Sequence, residues 1–236
     1  MSAGPDSGEV AVVIPARNEA DRIEATVTAA LGLPAAAVVI VVDDGSTDGT
    51  AAAARSAGAV VTRHARNQGK GAALETGAAA VRLLDQREQR VRPRHLLFLD
   101  ADLGGTAAQA GPLTEPVLAG AADMTIAVFA TTVKLGGHGL VVGLSGAGIR
   151  RATGWRPAQP LNGQRCLTRA AFEAARPLAR GWGVETALTI DLLRKGLRVT
   201  EVQVELAHRA TGTGMRAQLH RARQLTDVAR ALATRL

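Results

Sequence analysis

The sequence predicts a single-domain α/β fold in which helices flank a mostly parallel central sheet. Short, wholly apolar runs alternate with helical segments through the first half of the chain, as in VAVVI at 10–14 and VVIVV at 38–42. Such runs are typical of parallel strands that are buried on both faces of a sheet. The length of 236 residues suits one domain, and the strand–helix alternation predicts right-handed crossovers.

The composition limits the classes of function. The hydrophobic fraction of 47% permits a full core, and because aromatic residues make up 2%, that core must be built from Ala, Val and Leu. Proteins that bind single-stranded nucleic acid stack aromatic side chains on its bases, and this chain has very few aromatic residues. We therefore expect no nucleic-acid partner. One cysteine, Cys166, fits a reducing compartment. No secretory signal or membrane-spanning run is visible, and we expect a cytoplasmic protein.

The net charge of +7 is unevenly distributed. No acidic residue lies between Asp123 and Glu173, and after Leu206 six arginines accompany a single acid, Asp227. Such basic faces favour anionic partners, which include a phosphorylated acceptor, nucleic acid, or an acidic lipid surface contacted peripherally on the inner face of a membrane. The alternative is that arginine serves solubility alone.

Proline and glycine residues mark the ends of the secondary-structure elements in the first half. Pro15 has no backbone N–H and closes the first strand, and Gly32 and Pro34 end the first helix. We predict strands at Val10–Ile14, Val38–Val42, Ala59–Thr62 and Leu96–Leu99, and helices at Asp21–Leu31, Thr50–Ala57 and Ala72–Leu84. A charged connection, 85–94, precedes the fourth strand.

A pair of carboxylates follows that fourth strand. Asp100-Ala101-Asp102 comes directly after the buried run and before Gly104-Gly105. Two carboxylates one residue apart repel each other unless a cation lies between them, and Mg²⁺ is commonly held by one or two carboxylates plus substrate phosphates. Ligands of open α/β sheets bind at the carboxyl ends of strands. The alternative is a pair of solvated side chains in a turn.

Three other loops carry polar groups. The first strand leads into Pro15-Ala16-Arg17-Asn18-Glu19, and the second into Asp43-Asp44-Gly45-Ser46-Thr47-Asp48. The loop Arg66-Asn67-Gln68-Gly69-Lys70-Gly71 opens a helix, where free N–H groups and a lysine suit a phosphate. It is not a P-loop, because the required first glycine and the hydroxyl after the lysine are missing. No G-x-G-x-x-G follows the first strand, which argues against a nicotinamide cofactor.

Together these motifs strongly resemble the GT-A nucleotide-diphospho-sugar glycosyltransferases of family 2, whose relatives include polyprenyl-phosphate sugar synthases and glucosyl-phosphoglycerate synthases. The resemblance is close over 9–130 and looser to about 210. It implies a Rossmann-like GT-A sheet, a Mg²⁺ or Mn²⁺ cofactor and a nucleotide-diphosphate sugar as donor. It leaves the acceptor open between a small phosphorylated metabolite and a lipid-linked phosphate, and it is compatible with a homodimer.

The resemblance also implies roles for particular residues. The first-strand loop would lie along the nucleotide, the acids after the second strand would contact base or ribose, and the lysine would lie near base and phosphates. The Asp-Ala-Asp segment would contact ribose and metal, with the second acid bridging the diphosphate through the ion. The implied nucleotide-sugar-binding residues are Pro15, Ala16, Arg17, Glu19, Asp43, Asp44, Lys70, Asp100, Ala101 and Asp102.

The second half is less regular. Residues 1–8 are expected to be a disordered N-terminus, 9–130 the nucleotide-sugar-binding part, 131–210 the acceptor-binding part with a flexible loop at 131–160, and 211–236 a C-terminal basic helix. The loop could instead hold an interfacial helix on a membrane. Further expected elements are strands at 124–130 and 199–206 and helices at 168–176, 187–195 and 219–236.

The resemblance places the acceptor against a second set of residues. The implied contacts are Asn162, Gly163, Gln164, Arg165, Glu185 and Arg209. Glu185, at a glycine-framed helix start, and Asp102 are the implied catalytic residues. Where many inverting members have Glu-Asp, this chain has Glu185-Thr186, and its Gly-Trp-Gly-Val-Glu segment is more similar to the retaining glucosyl-phosphoglycerate synthases. As a charge at a helix N-terminus, Glu185 could also serve stability alone.

The metal ligands implied are Asp102, His208 and Asp100, because a histidine after the last core strand matches the third ligand of several GT-A enzymes and imidazole suits Mn²⁺. The function expected is therefore metal-dependent sugar transfer. The alternatives are a sugar-phosphate nucleotidyltransferase, which normally has a glycine-rich loop after its first strand, and a non-catalytic nucleotide-sugar-binding domain. An Asp-x-Asp phosphatase is disfavoured because its nucleophile lies on the N-terminal strand.

Overall fold

The computed structural model describes residues 9–129, 139–206 and 215–236. In this part of the chain, seven strands form one sheet in the order β3-β2-β1-β4-β6-β5-β7. The strands are β1 Val10–Ala16, β2 Ala36–Asp43, β3 Val60–Arg63, β4 His95–Phe98, β5 Met124–Phe129, β6 Arg165–Leu167 and β7 Val199–Val204. The single-domain α/β prediction is confirmed, and β7 lies at the sheet edge as its alternating sequence predicts.

The helices connect and cover the strands. They are α1 Ile23–Leu31, α2 Thr50–Ser56, α3 Lys70–Arg87, α4 Glu115–Leu118, α5 Gly139–Thr153, α6 Arg169–Ala175, α7 Val184–Arg194 and α8 Met215–Ala233. One 3-10 helix, Gly104–Leu113, follows the Asp-Ala-Asp turn, and another, Gly181–Gly183, directly precedes α7. No helix among the described residues is long and apolar enough to cross a bilayer.

The sheet is parallel except at one strand. β1 runs parallel to both β2 and β4, β3 runs parallel to β2, and β7 runs parallel to β5. β6 is antiparallel to both of its neighbours, β4 and β5. Because β6 runs the other way, its first residues lie at the edge where β4 ends.

The core has two layers, one on each face of the sheet. Val10, Val12 and Ile14 of β1 point into one layer, and Ala11 and Val13 point into the other, as the two-residue period of a strand requires. Both layers consist largely of aliphatic residues, which agrees with the composition. A third cluster joins α5, α7 and α8 through Val141, Ile149, Ile190, Val228 and Leu232.

Two of the expected segments, 131–160 and 1–8, need comment. The flexible loop predicted at 131–160 is wrong for its central part, because 139–153 form α5. Val141, Ser145, Gly148 and Ile149 follow a helical period and are buried, and Gly148 allows close packing against Leu232 of α8. The expected disordered segment 1–8 lies outside the described residues.

Candidate active site

The loops identified in the sequence meet at one edge of the sheet. β1 is paired in parallel with β2 and with β4, so Ala16, Asp43 and the Asp100 segment all emerge at the carboxyl ends of neighbouring strands. Arg165 at the start of antiparallel β6 is paired with Phe98 near the end of β4. This pairing brings the preceding segment 162–164 to the same edge.

Lys70 links the two halves of this edge. As the first residue of α3, it places its Nζ 2.7 Å from Asp100 Oδ1 and 2.9 Å from Glu185 Oε1. Glu185 reaches the lysine from the first turn of α7 and is only 5% exposed. Burial lowers the pKa of Lys70, but the attraction of Asp100 and Glu185 and their hydrogen bonds outweigh it, so the pKa is raised above 10.5. The lysine is therefore a permanent cation between two carboxylates.

Gly163 borders this ion pair so closely that a side chain would collide with it. A Cβ at this position would lie 2.3 Å from Lys70 Nζ and 3.2 Å from Asp100 Oδ1. Atoms of a real side chain do not approach that closely, so the lysine or the backbone would have to move. Gly163, one of the four predicted acceptor contacts from 162 to 165, therefore packs directly against the charged groups of the edge.

Gln164 is wholly buried and fixes Asp100 from the segment just before β6. Its Oε1 accepts a hydrogen bond from the Asp100 backbone N–H at 3.1 Å, and its Nε2 donates to Asp100 Oδ2 at 3.0 Å. Asn162 Oδ1 in turn accepts from the Gln164 backbone N–H at 3.0 Å. The polar segment before β6 thus sets the orientation of the first acid of Asp-Ala-Asp.

Arg165 is part of the scaffold beneath the edge. Only 1% of it is exposed, and its guanidinium donates to the carbonyls of Asn162 at 2.8 Å, Pro160 at 3.2 Å and Glu185 at 3.0 Å. Burial lowers its pKa to about 10, against the attraction of Glu185 and Glu201. The structure therefore places Arg165 behind the predicted acceptor loop, where it ties that loop to α7.

Asp43 and Asp44 both have partners inside the protein. Asp44 is 5% exposed, and its carboxylate accepts from the backbone N–H groups of Gln68 at 2.7 Å and Gly69 at 2.8 Å, and contacts His64 Nδ1 at 2.7 Å. Asp43 accepts from the backbone N–H of Ser46 at 2.8 Å. Asp44 thus shapes the loop that delivers Lys70, a function that its sequence position alone did not indicate.

The first-strand loop is joined to the second-strand loop. The Asn18 backbone N–H donates to Ser46 Oγ at 3.0 Å, and the Glu19 backbone N–H donates to Thr50 Oγ1 at 2.8 Å. Pro15 and Ala16 form the end of β1, and Arg17 is exposed beside them. The two loops that contain the predicted nucleotide-sugar residues of the first 50 positions are therefore held together by hydrogen bonds.

Asp102 lies in the turn after β4 and is partly exposed. In the described part of the chain, no group of three His, Cys, Asp or Glu side chains could hold a metal ion. Asp102 and Asp100 still suit the carboxylate ligands of a Mg²⁺ or Mn²⁺ site, because these ions take further ligands from substrate phosphates and water. His208 and Arg209, predicted as metal ligand and acceptor contact, lie outside the described residues.

The cleft continues from the Lys70 ion pair toward α5 and α8. A cavity of about 90 Å³ has Lys70, Asp100 and Glu185 at its polar end, and the rest of its lining is Val141, Leu161, Trp182, Gln224 and Val228. Trp182 is 36% exposed. Helices α5 and α8 thus complete a wall that neither motif analysis nor composition indicated.

Two buried polar residues near the edge, Thr26 and His64, were not predicted from the sequence to belong to the site. Thr26 lies on the buried stripe of α1 with Ile23, Val27 and Ala30, and a polar residue at such a position needs a hydrogen-bond partner. His64 follows β3 and contacts Asp44 Oδ1 and, at 2.9 Å, Thr76 Oγ1 of α3. The helical period of α1 was a usable signal for Thr26, whereas His64 gave none.

The fold is that of the GT-A class of glycosyltransferases: a mostly parallel α/β sheet carries polar loops at three adjacent strand ends, a lysine at a helix start and an Asp-Ala-Asp turn. The family model described as glycosyl transferase family 2 matches residues 11–132, more than half of the chain. The chain belongs to glycosyl transferase family 2 and is a glycosyltransferase. No curated protein matches the sequence.

Solved structures agree with this assignment. Glucosyl-3-phosphoglycerate synthase from Mycobacterium tuberculosis in complex with phosphoglyceric acid is 26% identical, with a TM-score of 0.76 over 97% of this chain and 80% of that one. The same enzyme with Mn²⁺, uridine diphosphate and phosphoglyceric acid gives 26% identity and a TM-score of 0.77 over 97% and 78%. A mycobacterial protein without a stated activity is 27% identical, with a TM-score of 0.74 over 97% and 74%.

Proposed function

We propose that the chain transfers a sugar from a nucleoside diphosphate donor to a phosphorylated acceptor, with Mg²⁺ or Mn²⁺ as cofactor. The observation that carries the proposal is the Lys70 ammonium bound to both Asp100 and Glu185 at the carboxyl edge of the sheet. The similar enzyme from M. tuberculosis was crystallised with uridine diphosphate, Mn²⁺ and phosphoglyceric acid, which supports a donor, an ion and an acceptor of these classes.

The charges at this edge favour a divalent cation. One ammonium faces two carboxylates, and a donor diphosphate adds further negative charge. Asp102, with Asp100 nearby, would hold the ion, which would neutralise the charge that builds on the departing diphosphate. Pro15, Ala16, Arg17 and Glu19 would line the nucleotide.

Within the chain, Lys70 and Glu185 would act at the sugar and the acceptor. Glu185 would accept a hydrogen bond from a hydroxyl of the bound sugar or acceptor, and Lys70 would hold that carboxylate beside Asp100. Asn162 and Gly163 would border the acceptor, while Gln164 and Arg165 would support them from the protein interior. Arg209 and His208 are proposed to contribute to acceptor and metal binding.

The cavity beside Glu185 contains both charged and apolar groups. Lys70, Asp100 and Glu185 share it with Leu161 and with Trp182, which is 36% exposed. Both a small phosphorylated acid, as crystallised with the similar M. tuberculosis enzyme, and a polyprenyl phosphate are therefore tested as acceptors.

The experiment is a transfer assay read by mass spectrometry. UDP-, GDP-, ADP- and TDP-glucose and the matching mannose donors are each combined with Mn²⁺ and either 3-phosphoglycerate or a short-chain polyprenyl phosphate. We expect one donor to give a glycosylated acceptor and free nucleoside diphosphate. Formation of a nucleotide sugar from a sugar phosphate and a nucleoside triphosphate, without any transfer, would instead identify a nucleotidyltransferase.

A further inference from the structure

Thr26 is a buried polar residue in the middle of α1 and contacts the turn that contains Asp102. Its side chain is wholly buried. Its Oγ1 donates to the Ala101 backbone carbonyl at 2.8 Å and accepts a hydrogen bond from the Gly104 backbone N–H at 2.8 Å. A longer contact, 3.2 Å, joins the same hydroxyl to the carbonyl of Arg22. One hydroxyl therefore connects the residues on either side of the Asp102–Leu103 pair.

The turn needs such a connection because its backbone leaves the sheet at this point. Gly104 has a φ of +56°, in the left-handed region, so the chain reverses sharply after Asp102. The carbonyl and the N–H that Thr26 binds lie beyond the end of β4, outside its ladder. Without the hydroxyl, the turn would lose the partner of one acceptor and one donor, and such losses are costly in a protein interior.

Arg22 supports the same turn from one helical turn earlier. Its NH1 donates to the Asp102 backbone carbonyl at 3.2 Å. Arg22 directly precedes α1 and lies four residues before Thr26. Together they hold three backbone groups of the turn, the carbonyls of Ala101 and Asp102 and the N–H of Gly104.

We propose that Thr26 is a positioning residue for Asp102: its hydroxyl fixes the backbone of 101–104 so that the Asp102 carboxylate meets the divalent cation of the bound donor. The inference rests on the proposed function, since that function makes Asp102 the metal ligand. Because Thr26 is wholly buried, it would act through the turn and not by contact with a ligand. Arg22 adds a weaker contact of the same kind.

The test compares Thr26→Val, which keeps the shape and removes the hydroxyl, with Thr26→Ser, which keeps the hydroxyl. Mn²⁺ is titrated into each protein with saturating UDP, or GDP if the wild type prefers it, and free Mn²⁺ is followed by electron paramagnetic resonance. We expect Thr26→Val to weaken Mn²⁺ binding about tenfold, equivalent to ~1.4 kcal/mol, and Thr26→Ser to stay within about twofold of the wild type. Metal-free binding of the nucleotide should change in neither variant.

The outcomes separate this inference from the proposed function. Wild-type Mn²⁺ affinity in Thr26→Val, or an equal loss in both variants, overturns the positioning role and leaves the metal assignment intact. A wild-type protein that binds no Mn²⁺ with any nucleoside diphosphate overturns both. If Thr26→Val does not fold, Arg22→Met provides the same readout from a partly exposed position, and we expect a loss of about threefold; unchanged affinity there would contradict the role of α1.

Discussion

At the scale of single residues, Lys70 has the central place. Its Nζ lies within 2.9 Å of both Asp100 and Glu185, which come from the end of β4 and from α7 on opposite sides of the cleft. Because the pKa of Lys70 is raised in the folded protein, the lysine stays charged at neutral pH, and its contribution to stability is lost only as pH rises above about 10.5. Titration of Lys70 therefore contributes nothing to the pH dependence of activity near neutrality.

Lys70→Met should destabilise the protein at neutral pH. The variant keeps the apolar stem but leaves Asp100 and Glu185 without the cation between them, which we expect to cost roughly 1–3 kcal/mol because Asp100 is partly exposed. Because the pKa of Lys70 is raised in the folded protein, the deficit should be the same at pH 7 and at pH 9. Thermal melts at these two pH values test it, with exposed Lys195→Met as control. A Tm no lower than that of the control would show that the lysine does not stabilise the pair of carboxylates.

Gly163→Ala should impair catalysis more than stability. The new Cβ would lie 2.3 Å from Lys70 Nζ, and the flexible lysine can move aside while the fold persists. We expect kcat/KM to fall about tenfold, equivalent to ~1.4 kcal/mol, with a small change in Tm. Gly111→Ala is the control, because a Cβ at that position would extend into open space. Wild-type kcat/KM in Gly163→Ala would show that the position of Lys70 is unimportant.

At the scale of elements, α8 is packed against the 3-10 helix that leads into α7. The Trp182 backbone N–H donates to Asp227 Oδ2 at 3.1 Å, and Gly183 lies against the backbone of the same residue of α8. Because Glu185 follows two residues later, this contact connects the C-terminal helix with the charged groups of the cleft. The basic helix predicted at 211–236 therefore packs on the domain over its described side chains.

Gly183→Ala should loosen α8 selectively. A Cβ there would lie 2.6 Å from the Asp227 carbonyl oxygen and 2.7 Å from Ala231 Cβ, neither of which can rotate away. We expect faster hydrogen exchange in 224–233 and unchanged exchange in β1 and β2. Gly146→Ala is a matched helical control, since its nearest neighbour is Pro160 Cγ at 3.9 Å. Equal exchange of α8 in the two variants would refute the contact.

The parts of the fold that could be predicted are those with a strong local pattern. The apolar runs of β1 and β2 could be placed to within two residues because burial on both faces leaves a continuous signal, and α2 could be placed equally well because its start follows the polar turn at 44–49. β6 was missed because three residues, Arg165–Leu167, carry no period and owe their strand conformation to pairing with β4 and β5. α5 was interpreted as a loop because its frequent glycines obscure the helical period of its buried residues.

The same distinction applies to the site. Asp100, Lys70 and Glu185 could be nominated from strand ends and helix starts, and the structure brings them together. The use of Asp44 to hold the Lys70 loop, and of Thr26 to hold the Asp102 turn, depends on contacts between residues 25 and 75 positions apart. No local sequence pattern predicts contacts between residues so far apart in the chain.

At the scale of the whole molecule, the described fold combines two parts around one cleft. The parallel strands β1 to β4 present the loops proposed for the nucleotide, and α5, α7 and α8 form a packed cluster on the other side. Antiparallel β6 joins these parts, and its middle residue, Cys166, is wholly buried. The thiol is the only one in the chain.

Cys166 should therefore report global unfolding. Burial raises the pKa of the thiol above its usual value of 9.0, which keeps it neutral and unreactive in the folded state. Since the unfolded thiol ionises first, folding stability should decrease as pH rises past about 9. We expect no reaction with a disulfide reagent at pH 8 until denaturant unfolds the sheet. Rapid labelling of the native protein would contradict the packing around β6.

The donor site as a whole is best tested by calorimetric titration of nucleoside diphosphates into the wild type and Asp102→Asn, each with Mn²⁺ or with EDTA. We expect UDP or another nucleoside diphosphate to bind the wild type tightly only with Mn²⁺, and Asp102→Asn to lose the metal-dependent part while keeping its Tm. Equal binding with EDTA, or to the variant, would contradict the assignment of this strand edge as the metal-dependent donor site.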